Sequence, residues 1–177
     1  MLIDKYMSDY QFSEKHEIVI NASAEKIYSA ILSTDFMKSF IIHMLFKIRG
    51  IPKFTIVDLT KVGFEILEEM YPKEIVIGLE GRFWTRFGSE NALNKISREN
   101  FLTPQSMDVA RVAWNFYIEE KTTDQYILTT ETRISCTSKN TLRKFKIYWF
   151  IIKPGSGLVR KYMLREIRKQ AEQPGMN

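Results

Sequence analysis

At 177 residues, with 45% hydrophobic and 27% charged residues, the chain is about one domain long and apolar enough to bury a core, which excludes a disordered protein. One cysteine, Cys136, excludes an internal disulfide and a cysteine-cluster metal site. The formal charge of +5 is concentrated late in the chain, where Arg143, Lys144, Lys146, Lys153, Lys161 and Arg165 fall close together.

The first residues mix acidic and basic groups with no apolar run, unlike a secretory signal, and no apolar stretch is long enough to span a bilayer. The expectation is a cytoplasmic protein with loosely ordered tails at 1–9 and 173–177. A strand is expected at His16–Ile20, where Ile18 and Ile20 alternate with Glu17 and Val19. Asn21 or Ser23 can then cap a helix carrying Ile27, Tyr28, Ile31 and Leu32 at helical spacing. Ser33-Thr34-Asp35 starts a second helix with Phe36, Phe40, Ile41, Met44 and Leu45 inward, closed by Gly50 and Pro52.

The middle of the chain is β-rich. Residues 64–70 and 74–84 form a hairpin around Tyr71-Pro72-Lys73, and two antiparallel strands follow at 109–119 and 125–137. Between them, TRFGSENALNKISRENFLTPQSMD lacks a period and reads as a lid, a binding loop or a short helical turn. From Ser138 the pattern is helical, with Leu142, Phe145, Trp149 and Ile152 on one stripe. Although FKIYWFII has strand propensity, the maintained stripe favours helix.

That helix meets Pro-Gly-Ser-Gly at 154–157. A phosphate-binding loop needs a lysine just before its Ser or Thr, and Lys153 precedes Pro154 instead. Glycines flank Ser156 directly, so the stretch is no nucleophile elbow either. A linker would leave about 20 residues beyond it, too few to fold alone. The expectation is one long helix bent at Pro154, with Ser156 capping the resumed part.

GLEGRFW, VAWNF, TTETRISCT and YWFIIKPGSGLVRKYMLREI, together with the opening EIVINASAEKIYSAI, resemble an uncharacterised bacterial branch of the START/Bet v 1-like (SRPBCC) superfamily. The resemblance runs over nearly the whole chain and implies a single α+β domain over 1–177. Its fold would be a helix grip: a curved antiparallel sheet wrapped around a long C-terminal helix, two short helices after the first strand, and an apolar cavity between sheet and helix. Relatives bind lipids, hormones or polyketides, and some are cyclases.

Alternation sets Glu80, Arg82, Asn115, Glu131 and Arg133 on one side of the sheet, opposite Ile77, Leu79, Trp114 and Phe116. Facing the cavity, these polar residues would anchor a small apolar or amphipathic ligand together with Trp84, Tyr148 and Arg160. Glu131 would be the candidate general acid or base. The competing reading is structural, with Arg and Glu satisfying one another. His16 and His43 lack companions at ligand spacing, so no metal is expected, and no cofactor. Cys136 reads as a small buried hydrophobe. Binding of nucleic acid is not expected from composition. An interaction protein that touches nucleic acid or anionic membrane through its basic final helix, and a cyclase, dehydratase or hydrolase, are the alternatives to ligand binding.

Overall fold

The computed structural model describes residues 1–36, 56, 60, 63–82, 84 and 93–173. The helix expected after Ser33, with His43 in it, lies outside these residues from position 37, as do 85–92 of the long middle segment and the last four residues.

The elements follow in chain order as helix α1 (Leu2–Tyr6), strand β1 (Phe12–Ile20), helix α2 (Ala24–Ser33), strands β2 (Glu65–Met70), β3 (Glu74–Gly81), β4 (Leu93–Asn94), β5 (Ala110–Thr122) and β6 (Gln125–Cys136), and helix α3 (Lys139–Ala171). The strands make one antiparallel sheet in the order β1-β6-β5-β3-β2, with β4 short and paired to β3. This is an α+β protein of helix-grip architecture.

Local chemistry accounts for the element boundaries. Ser23 accepts from the Lys26 amide at the start of α2, and Ser138 does the same for Thr141 at the start of α3. The β2–β3 turn passes through a cis Tyr71–Pro72 bond, and β2 carries a bulge between Ile66 and Glu68. Leu67, the extra residue, packs over Gly78; a Cβ on Gly78 would lie 2.8 Å from its Cδ1.

Alternation divides the sheet as expected. The inner face meets α2 and α3 and carries Ile75, Ile77, Trp114, Phe116, Ile118 and Leu128, packed on Met163, Leu164, Ile167 and Ala171. A neighbouring cluster joins Leu79 and Ile134 to Phe145 and Trp149 of the first half of α3. FKIYWFII is therefore helix.

Two expectations change. Residues 2–6 are not a loose tail: α1 lies on the outer face, where Ile3, Tyr6 and Met7 are buried with Val76, Ala113, Ile96 and Phe101. Nor does α3 stop and restart at Pro154. It runs through as one helix of 33 residues, and Ser156 caps nothing. Proline removes one backbone hydrogen bond and costs about 3 kcal/mol in a helix interior. Here the helix is anchored on the sheet on both sides of Pro154, by Phe145 and Trp149 before it and by Met163 to Ala171 after it.

Candidate functional site

Four of the polar residues expected on the cavity floor, Glu80, Asn115, Glu131 and Arg133, occupy the outer face instead, where each has a protein partner. Glu74 accepts from the Leu2 and Ile3 amides at 2.7 and 3.3 Å and from Asn115 Nδ2 at 2.7 Å. It therefore caps the N-terminus of α1 from a different element. Asn115 Oδ1 in turn accepts from the Glu131 amide. Arg133 binds Glu131 through Nε at 2.8 Å, donates to the Met7 carbonyl at 2.9 Å and pairs with Asp4 at 2.8 Å. Glu80 accepts from Asn94 and from the Gln105 amide, fastening the segment that follows β4. Arg82 donates to the Asp108 carbonyl. Four of the expected ligand contacts, Glu80, Asn115, Glu131 and Arg133, are thus turned away from α3 and hold the covering of the outer face. Alternation sorts these residues correctly, but the side that carries α3 is the other one.

Trp84 and Tyr148 do belong to the inner side, both against Phe145, at ring-centroid separations of 6.0 and 5.5 Å. Arg160 also points inward, but at a different set of residues. Its Nη2 donates to Thr132 Oγ1 at 2.6 Å, and its Nη1 donates to the hydroxyl and the carbonyl of Ser156, one turn back on α3. Nη1 lies 3.6 Å from Glu14 Oε2, while Oε1 of Glu14 meets His16 Nε2 at 2.9 Å. Burial pulls the guanidinium pKa below its ordinary value, and the Glu14 carboxylate pulls it back up.

The sequence explains why these groups meet. Glu14 and His16 have the same parity on β1 as Ile18 and Ile20, so they face inward. Thr132 stands on the inner face of β6, opposite Trp114 of β5 in the register. The helix presents Gly155, Ser156 and Gly157 at this level, between the Phe145–Trp149 and Met163–Ala171 packing regions. A Cβ on Gly157 would come within 2.7 Å of Glu14 Oε1 and 3.5 Å of His16 Nε2, so glycine lets the helix backbone approach these side chains. The Pro-Gly-Ser-Gly stretch is a notch in a continuous helix, and the notch receives a polar island.

That island leaves hydrogen-bonding capacity open: Arg160 Nε and Glu14 Oε2 are buried without a hydrogen-bond partner among the described residues. Sequence reasoning found Arg160 and missed Glu14, His16, Thr132 and Ser156. The expected strand at His16–Ile20 already holds His16, and extending its alternation back by two residues would have reached Glu14.

Elsewhere, a groove of about 490 Å³ opens at the edge of α2 and the β2–β3 turn, lined by Glu25, Tyr28, Ser29, Leu32, Glu69 and Tyr71. Tyr28 donates to Glu69 at 2.8 Å there, and desolvation with this contact raises its pKa. Among the described residues, no cluster of His, Cys, Asp and Glu is placed to hold a metal ion. No helix among them is long and apolar enough to cross a membrane. Burial pushes the Cys136 thiol up to about 11, away from the range of a reactive nucleophile.

One solved structure is similar to this chain in fold, and others align more weakly. A hypothetical protein from Helicobacter pylori superposes with a TM-score of 0.50 at 8% identity, covering 96% of this chain and 94% of its own. The Zhui aromatase/cyclase from Streptomyces sp. R1128 aligns at a TM-score of 0.35 and 9% identity, over 91% of this chain and 93% of its own. A Thermus thermophilus protein gives 0.36 and 7%, over 90% and 97%. The first likeness is one of fold alone. No family model matches the sequence, and no curated protein matches it significantly.

Proposed function

We propose that the chain is a single domain over residues 1–177 that holds a small, mostly apolar molecule against the inner face of the sheet. Arg160, Glu14, His16 and Thr132 engage the polar group of that molecule. The observation carrying this reading is a pair of buried atoms that lack a hydrogen-bond partner among the described residues, Arg160 Nε and Glu14 Oε2. A buried donor or acceptor left unsatisfied is costly, and such atoms mark places where something else belongs. A hydroxyl suits both, since its oxygen accepts from Nε while its proton goes to the carboxylate. A carboxylate ligand suits them poorly, because Glu14 repels it. The ligand class is therefore an apolar molecule bearing a hydroxyl group, its hydrocarbon part lying beside the partly buried Trp84 and Tyr148.

The test is native mass spectrometry of the protein isolated gently from its own host, followed by denaturing extraction. A stoichiometric hydroxylated apolar compound, lost in Arg160→Met and retained in Arg133→Met, is the expected result. Full occupancy in Arg160→Met would overturn the placement of the site.

The Glu14–His16 contact supports a second reading, an enzyme in which a carboxylate orients an imidazole as general base. Glu131 is paired with Arg133 on the outer face, away from this contact. Conversion of the extracted compound by the protein, abolished in His16→Gln, would establish it. Unchanged turnover in that variant would remove it.

A further inference from the structure

The side of α3 that faces away from the sheet is apolar as well. Ile147, Phe150, Ile151 and Leu158 are 68, 82, 71 and 65% exposed, and with exposed Pro154 they follow helical spacing on one face. This face spans about 16 Å along the axis, from 11 residues at the α-helical rise. Both its ends are basic: Arg143 and Lys144 lie one turn before Ile147, and Lys161 and Arg165 follow Leu158. No Asp or Glu occurs from Lys139 to Arg165, so the face carries no negative charge of its own along this length.

From this combination we infer that the outer face of α3 docks on an anionic lipid surface, with Phe150, Ile147, Ile151 and Leu158 inserted at the headgroup boundary and the flanking Arg and Lys side chains on lipid phosphates. Apolar side chains standing out of a helix that is basic at both ends are the composition of an interfacial helix. Basic residues beside such a surface are attracted within a Debye length of it. A second copy of the chain fits less well. Two such faces packed together would bring like charges against each other at both ends, with no carboxylate to separate them. A purely electrostatic partner such as a nucleic acid leaves Phe150 and Ile151 in water, gaining nothing from them. The contact is peripheral and leaves the inner face of α3 on the sheet.

Vesicle flotation tests the inference on the full chain. Vesicles containing phosphatidylglycerol should carry the protein up at low salt, vesicles of phosphatidylcholine alone should not, and raising the salt should reduce the bound fraction. Phe150→Ser with Ile151→Ser keeps every charge and should weaken binding by at least about tenfold, from the apolar area withdrawn. Lys144→Gln with Lys161→Gln should weaken it by a similar factor while leaving the apolar side chains in place. Melting temperatures of both variants should match that of the unaltered protein. The inference is overturned if the protein stays with the unfloated fraction, or if the serine variant binds as well as the unaltered protein. A melting temperature lowered by the serine pair would show the face to be covered within the chain. A concentration-dependent dimer dispersed by that pair would assign it to a second copy. Either finding overturns the lipid assignment.

Discussion

The α-carbon of Gly157 stands so close to Glu14 that a methyl group added to it would lie 2.7 Å from the Glu14 Oε1 atom. Gly155, two residues earlier in the same helix, has nothing outside its own helix backbone within 4 Å of the equivalent position among the described residues. The two glycines therefore predict opposite outcomes for one substitution. Alanine is favoured over glycine in a helix interior by about 1 kcal/mol, so Gly155→Ala should stabilise by roughly that amount. Gly157→Ala gains the same propensity but must displace a carboxylate held by His16 and facing Arg160. It should be neutral or destabilising, leaving a difference of about 1–2 kcal/mol between the variants. Urea unfolding of both reads this directly, and equal effects would mean that Glu14 moves aside freely.

The outer face makes a separate prediction. Arg133 is the only arginine that joins Glu131, Asp4 and the Met7 carbonyl among the described residues, so it clamps α1 to the sheet. Arg133→Met leaves the Glu131 carboxylate buried without its partner. Removing one member of a buried pair costs about 3 kcal/mol, because the remaining charge has lost compensation. The expected result is that loss in stability, together with faster hydrogen exchange of the α1 amides. Protected α1 amides in the variant would show that Glu74 and the Ile3–Phe101 packing hold the helix unaided.

How much of this was legible in the sequence depends on the length scale of each feature. Strand parity is set by the pleat, so the division into Ile77, Trp114 and Phe116 against Glu80, Asn115 and Glu131 could be read from spacing alone. Which side faces the long helix could not, because α1 and the segment after β4 bury the polar side as α3 buries the apolar one. At five residues, α1 is too short to show a period, and it exists through packing rather than propensity. Pro154 misled for a related reason. A local rule predicts an interruption, while packing of the helix on both sides of it decides the outcome. The β1 cluster was within reach, since Glu14 and His16 share parity with Ile18.

Cys136 supplies a prediction in pH. Its thiol is half-buried beside the Ile134–Phe145 cluster, and desolvation raises its pKa from about 9 to about 11. The neutral thiol is thus the species present at pH 7 and 8, and only the thiolate attacks an alkylating reagent. Iodoacetamide labelling of the folded protein should be much slower than that of the urea-unfolded chain at pH 8. The folded rate should climb only as the pH approaches 11. Folded and unfolded rates that coincide at pH 8 would contradict the burial of the sulfur.

The polar island under α3 can be dissected with a double-mutant cycle on Glu14 and Arg160. Among the described residues, Arg160 is the only cation near Glu14 other than a protonated His16, and Arg160→Met should destabilise by about 3 kcal/mol if the pair is coupled in a buried setting. Glu14→Gln keeps the shape of the side chain and removes the charge, leaving Arg160 its contacts to Thr132 and Ser156. That substitution should cost less. With both changes, the buried charges are gone together, and the double variant should recover part of the loss, a coupling of about 1 kcal/mol or more. A ligand bridging Arg160 Nε and Glu14 Oε2 adds a second signature. Stability of the loaded protein should rise with ligand in the unaltered chain by mass action, and in neither single variant. Additive single effects, with ligand stabilisation kept in both, would mean that Glu14 and Arg160 act independently and that the ligand sits elsewhere on the inner face.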